Sequence, residues 1–277
     1  AAYTGNVTVN DTGTVAVAGV NSLDTLVTGA GVLDISTIET LSGDAADIKT
    51  ALESNGITGK AGVNVSIDNN HNLTQLKAIN EATTGTITLS NYAVNLTGGS
   101  VSDATTALGG TFGAAYTGNV TITDETVSAG DLKALDTLVT GAGVVDATTV
   151  TALTGDAADM NTVLTSGGIS NLTNPAVTPA DTSLTATVFN DLRGNTTGTI
   201  NATNVTSISG NADVVQTAVT ASDVTNMGGV NVSIDNNHNL AQLKAINAAT
   251  TGTITLSNYA VNLTGGSVSD ATTALGG

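Results

Sequence analysis

Residues 63–110 recur at 230–277 with only two changes, Thr74 to Ala241 and Glu81 to Ala248. Self-similarity at a long offset is the mark of a repeat architecture, in which each unit buries its apolar face against the next. Shorter echoes fill the rest of the chain. AAYTGNVTV at 1–9 returns as AAYTGNVTI at 114–122, LDTLVTGAGVLD at 23–34 as LDTLVTGAGVVD at 135–146, and LSGDAAD at 41–47 as LTGDAAD at 153–159. Residues 190–219 are a diverged version of 76–108. Leu23, Ile79, Leu135, Leu192 and Ile246 occupy equivalent places, at spacings of 56, 56, 57 and 54. The expected division is five units: 1–57, 58–113, 114–169, a divergent 170–225, and 226–277.

One unit reads as two coils of strand, turn and short helix, about 27 residues each, in the range of strand-plus-helix repeats. Val63-Asn64-Val65-Ser66-Ile67 alternates like a strand buried on one face. Asp68-Asn69-Asn70 turns, and Asn72 caps a helix over Leu73, Leu76 and Ile79. Thr86–Leu89 and 93–96 are further strands, and Ser102 or Asp103 starts a second helix that ends at Gly109-Gly110. Asp44 and Asp156 are the expected caps of the corresponding helices, with Asp47 and Asp159 three residues on. The expected fold is therefore a repeat solenoid, an α/β solenoid of short parallel strands and short helices. The alternative is a pure β-helix with turns in place of helices. Pro175 and Pro179 each remove a ladder donor, so 170–182 reads as an exposed loop, a bulged coil or a drifted copy.

Composition narrows what such an array can do. Charged residues are 10% and aromatics 2% of the chain, against about 25% charged in typical soluble domains. The core must be thin, aliphatic and repeated. A net charge of −17, from 23 acidic against six basic residues, opposes binding to nucleic acid and to anionic membranes. No cysteine is present, so disulfide and thiolate chemistry are absent. No apolar run approaches the 18 residues of a membrane-spanning helix.

The candidate chemistry is sparse. His71 and His238 each follow Asp-Asn-Asn and read as members of polar turns. Asp68, Asp103, Asp235 and Asp270 are the weak metal candidates, with Ca²⁺ the cation considered. Gly98-Gly99-Ser100-Val101-Ser102-Asp103 and its copy at 265–270 come nearest to a calcium nonapeptide but lack its central glycine. Thr-x-Thr pairs at 86/88, 121/123 and 253/255 occupy too few coils for an ice-binding face. Sequons occur at Asn64, Asn95, Asn119 and Asn262 among others. Tyr3, Tyr92, Tyr116 and Tyr259 are the only residues suited to stacking on sugar, and Arg193 is the lone arginine. No catalytic motif appears, and the expectation is that the chain is not an enzyme.

The phrases LKAIN-x-ATTGTIT at 76–88 and 243–255, with TALTGDAAD at 151–159, resemble the Thr/Ala/Gly-rich repeats of very large secreted cell-surface proteins of cyanobacterial type, loosely related to haemolysin-type calcium-binding arrays. The resemblance implies an extracellular scaffold or adhesin with cation-dependent assembly. The expected function is a filament, sheath, surface layer or adhesin stalk. The alternatives are a carbohydrate- or ice-binding face, and more remotely a polysaccharide-active β-helix. The expected partners are further copies, stacked head to tail or joined in a longer covalent array, and surface polysaccharide. The chain starts at AAYTG and ends at ALGG, in phase with the internal ALGG-TFG-AAYTG junction, and an excerpt of a longer array is the expected explanation.

Overall fold

The computed structural model describes residues 3–276. They form two compact units. The first gathers the chain up to Asp124 with Ala134–Thr149 and Gly167–Asn171; the second gathers Glu125–Lys133, Val150–Ser166 and the chain from Leu172 onward.

The first unit holds three parallel sheets of very short strands. One joins Val7–Thr8, Leu33–Asp34 and Ile57–Thr58, and a second joins Thr14–Ala16, Thr40–Gly43, Asn64–Ile67 and Ile87–Leu89. The third runs Leu96–Gly99, Val120–Ile122, Val145–Asp146, Ile169–Ser170. The second unit holds two more. One joins Thr126–Ser128, Ala152–Gly155, Ala176–Pro179, Ile200–Asn201 and Val224–Thr225; the other joins Ser183–Thr185, Ser207–Gly210, Asn231–Ile234 and Ile254–Leu256. Partners lie 22 to 26 residues apart, as in Thr14↔Thr40, Thr40↔Asn64 and Val65↔Ile87. Each rung thus pairs with the next rung of the same chain. The architecture is a repeat-like α/β fold.

Helices alternate with these strands. The first unit contains α1 (Val17–Leu26), α2 (Ala45–Glu53), α3 (Leu73–Ala82) and α4 (Val101–Leu108). Helix α5 (Ala129–Leu138) draws residues from both units. The second contains α6 (Ala157–Leu164), α7 (Ala186–Asn195), α8 (Ala212–Val219), α9 (Leu240–Ala249) and α10 (Val268–Leu275). Helices of eight to ten residues are marginal in isolation, so packing holds them. Helix α2 buries Ala45, Ile48, Ala51 and Leu52, one face at helical spacing. Consecutive helices pack in series within each unit, α1 to α4 and α6 to α10. Alanine on the buried face lets each approach its neighbour closely. The helices displace the pure β-helix alternative.

Local readings are sharpened in four places. Asn72 caps α3 in a full capping box with Gln75, as expected. The cap of α4, however, is Ser100, with Asp103 the reciprocal third residue of the box, so neither Ser102 nor Asp103 is the cap. The strand expected at 93–96 lies at Leu96–Gly99, because Val120 and Ile122 supply its partners. Gly98 at φ +82° accommodates the register shift between Leu96 and Gly99. Finally, 170–182 is a drifted copy. Ala176–Pro179 is a central strand with Val177 fully buried. Pro179 sits at its end, where the pairing to the next rung has already stopped after Val177↔Ile200, and its carbonyl accepts from Asn204 Nδ2 at 2.9 Å.

Candidate functional site

Short strands leave much backbone between rungs unpaired, and buried backbone groups need partners. Asparagine, threonine and aspartate supply them. Asn64, Asn95, Asn119 and Asn231 each accept, through Oδ1, a backbone N–H one rung on, at 2.8 to 3.1 Å. In the helical layer, Asn21, Asn80, Asn161, Asn190 and Asn247 each donate from Nδ2 to a carbonyl of the following helix, at 2.5 to 3.2 Å. Buried Thr83, Thr196 and Thr250 donate to the carbonyls of Val63, Pro175 and Val230 and accept from the N–H of Gly85, Gly198 and Gly252.

The same logic governs helix starts. Asp44 and Asp156 hold the cap positions of α2 and α6 but make no side-chain cap bond. The first amide of each helix is instead bound from the next rung: Ala45 by Asn69 at 3.0 Å and Ala157 by Asp181 at 2.8 Å. Val101 of α4 is bound by Asp124 at 2.8 Å, and Ala212 of α8 by Asn236 at 2.9 Å. In each case the donor and the Asn or Asp are 23 or 24 residues apart. Sequence reasoning missed these four caps. The available signal was an Asn or Asp two residues past the last residue of a strand.

The metal candidates lie apart. Asp103 accepts from Ser100, whose hydroxyl and amide hold its pKa below the ordinary carboxylate value, with Lys77 adding to the effect at 3.9 Å. Asp270 is held lower still, first by a hydrogen bond from Lys244 and then by Ser267. The difference follows the copy. Lys77 pairs with Glu81 at 2.8 Å, whereas Ala248 stands at that place in the second copy and Lys244 turns to Asp270. Asp68 and Asp235 are exposed in turns, their amides bound to Gly43 and Gly210. Among the described residues no group of three or more His, Asp or Glu side chains is placed to hold a metal ion.

The histidines are buried, contrary to the polar-turn reading. His71 and His238 are 5% and 7% exposed, and the Nδ1 of each lacks a hydrogen bond. His71 Nε2 meets the Tyr116 hydroxyl at 3.4 Å, with the rings edge to face. Burial holds its pKa below the usual imidazole value, partly offset by the Asn69 backbone, which falls short of hydrogen-bond geometry. Tyr116 donates to the Val94 carbonyl, and burial raises its pKa. At 3% exposure it cannot stack on a sugar, whereas Tyr3 and Tyr259 are exposed. Arg193 makes a forked pair with Asp223, Nη2 to Oδ1 at 2.7 Å, and also donates to the Thr217 carbonyl, again bridging rungs. Asn64, Asn95 and Asn119, three of the sequon asparagines, already accept rung-to-rung bonds.

Apolar side chains stand exposed at both extremes of the chain: Tyr3 and Leu26 in the first unit, Tyr259, Val268 and Leu275 in the second. No described helix is long and apolar enough to cross a membrane. Comparison with known proteins returned no match to any family model, curated protein or solved structure.

Proposed function

We propose that this chain is an extracellular structural repeat protein, a solenoid segment of a filament, sheath, surface layer or adhesin stalk. In this reading the five units at 1–57, 58–113, 114–169, 170–225 and 226–277 form one continuous coil, and the chain works as do the large secreted surface proteins it resembles. The observation that carries the proposal is the direction of its polar side chains. Asn, Asp, Thr and the single Arg bridge one rung to the next at a spacing of 20 to 30 residues, rather than converging on a common point. Such a chain is built to be extended by addition of rungs, with stability that accumulates locally. Strand edges at the ends of a solenoid template further strands, which gives end-to-end stacking a physical basis. The acidic surface suits a saline exterior.

The test is protease shaving of intact source cells combined with immunogold electron microscopy. The proposal expects loss of the protein from intact cells and label on surface arrays or rods. A protein confined to the cell interior and dispersed as single molecules refutes it.

A further inference from the structure

Asparagine followed directly by glycine occurs once in the chain, at Asn55-Gly56. The pair joins the end of α2 to the strand Ile57–Thr58, and Asn55 is exposed. An asparagine side chain is open to attack at Cγ by the amide nitrogen of the residue that follows. Glycine hinders that attack least, because it has no Cβ. The attacking amide must also give up its proton, so the partner of the Gly56 N–H decides how readily the reaction runs.

That N–H enters a two-step hydrogen-bond chain. It donates to Ser54 Oγ at 3.1 Å, and the Ser54 hydroxyl donates in turn to Asp24 Oδ2 at 2.8 Å. Asp24 belongs to α1, 30 residues before Ser54. Ser54 is fixed from both sides: its amide donates to the Thr50 carbonyl at 3.1 Å, and its carbonyl accepts from Lys60 Nζ. The carboxylate also lies against the glycine, since a Cβ at Gly56 would sit 2.4 Å from Asp24 Oδ1. Position 56 therefore needs glycine for this approach as well as for the attack.

The tie between the two rungs is structural in the first place. Asp136 and Gly168 are the later copies of Asp24 and Gly56. A Cβ at Gly168 would sit 2.1 Å from Asp136 Oδ1. Leu33 donates to the Gly56 carbonyl at 2.7 Å, and Val145 to the Gly168 carbonyl at 2.8 Å. The preceding residue differs: Gly167 stands where Asn55 stands. The close approach holds a rung in both places, and at Asn55 it also meets a side chain that the backbone can attack.

We propose that Asn55 is a self-modification site, converted through a succinimide to aspartate and isoaspartate, with Asp24 acting through Ser54 as general base. Ser54 Oγ takes the Gly56 amide proton while its own proton passes to Asp24. The Gly56 nitrogen bonds to Asn55 Cγ and closes a five-membered ring. The proton returns by the same path to the leaving nitrogen, the Cγ–Nδ2 bond breaks, and ammonia departs. Water then opens the ring at either carbonyl, with no change of oxidation state. Isoaspartate routes the main chain through the former side chain, adding one CH₂ between α2 and the strand Ile57–Thr58. Either product sets a new carboxylate beside the one already lying against Gly56, and like charges repel. This rung loosens as the protein ages, whereas the copy at 167–168 has no amide side chain to lose. The inference goes beyond the surface-array reading and does not depend on it.

The test follows position 55 in the whole chain at neutral pH, by peptide mapping that separates asparagine, aspartate and isoaspartate. The same chain held unfolded in urea is the reference, because there Asp24 and Ser54 are no longer placed on the Gly56 amide. A general base contributes about 10²–10⁴-fold in well-formed sites, and at this partly exposed one the folded chain is expected to convert at least about tenfold faster than the unfolded chain. Asp24→Asn keeps an oxygen for the Ser54 hydroxyl but removes the base, and Ser54→Ala breaks the path; each is expected to slow the folded chain at least about tenfold. Circular dichroism checks that both variants are folded. A native chain that converts no faster than its unfolded form overturns the proposal, and so does a rate that folded Asp24→Asn leaves unchanged. The first comparison uses no variant, so it decides the matter even where a substitution disturbs the fold.

Discussion

The borrowed helix caps make a contrast that can be measured. Asp156 sits at the cap position of α6 with extended backbone (φ −70°, ψ 138°), yet its side chain binds no helix amide; Asp181, one rung on, binds the first one at 2.8 Å. Replacing Asp181 with alanine removes a cap worth about 1 kcal/mol, and a carboxylate near a helix N-terminus worth about 0.5 kcal/mol more at this half-exposed site. The expected loss is about 1.5 kcal/mol, or roughly tenfold in the local opening equilibrium. Asp156→Ala should stay within about 0.5 kcal/mol. Asp181→Asn should retain most of the stability, since Asn69 and Asn236 do the same work for α2 and α8. A repeat array need not unfold in one step, so the assay is amide hydrogen exchange resolved to peptides, comparing α6 with α8 as an internal reference. Faster exchange of α6 after Asp156→Ala than after Asp181→Ala refutes the reasoning.

Thr83→Val keeps shape but strips the hydroxyl that links the Val63 carbonyl to the Gly85 amide; a loss of about 1–3 kcal/mol in denaturant titration is expected, since both partners are left buried or half-buried and unpaired. At Gly85 an added Cβ would lie 2.3 Å from the Val63 carbonyl oxygen, whereas at Gly62 nothing lies within 4 Å. Gly85→Ala should therefore cost about 2 kcal/mol or more, and Gly62→Ala should be neutral or stabilising by about 0.5 kcal/mol in the same titration. His71 has a folded pKa below its unfolded value because burial disfavours the charged ring. The unfolded chain then takes up the proton first as pH falls below about 6.5, so stability drops from there down to the folded pKa and levels off below it. Melting curves at pH 7.5 and 5.5 should show this drop, and His71→Phe should shrink it; an unchanged drop in that variant would contradict the assignment.

Parts of the fold were legible because their causes are local. The capping box Asn72–Gln75 needs only residues three apart, and the burial of Val65 and Ile67 follows from alternation along Asn64–Ile67. Other parts were not, because their causes lie a rung away. The strand at Leu96–Gly99 depends on Val120 and Ile122, and the burial of His71 depends on Tyr116, 45 residues on. Pro175 and Pro179 suggested a loop since a proline is read by the donor it lacks; whether that donor was needed depends on a ladder that ends at Val177↔Ile200.

Sequence alone determined that the chain is a repeat, that its coils alternate strands with short helices, and that its core is aliphatic, because copying and apolar periodicity are properties of one dimension. Tertiary structure alone decided which polar residue serves a backbone group on another rung. Asn69, Asp124, Asp181 and Asn236 look like ordinary turn residues until the rung spacing brings each to the first amide of a helix 23 or 24 residues earlier. Hydrogen bonds act over about 3 Å, and only the stacking of rungs makes such distances out of such separations.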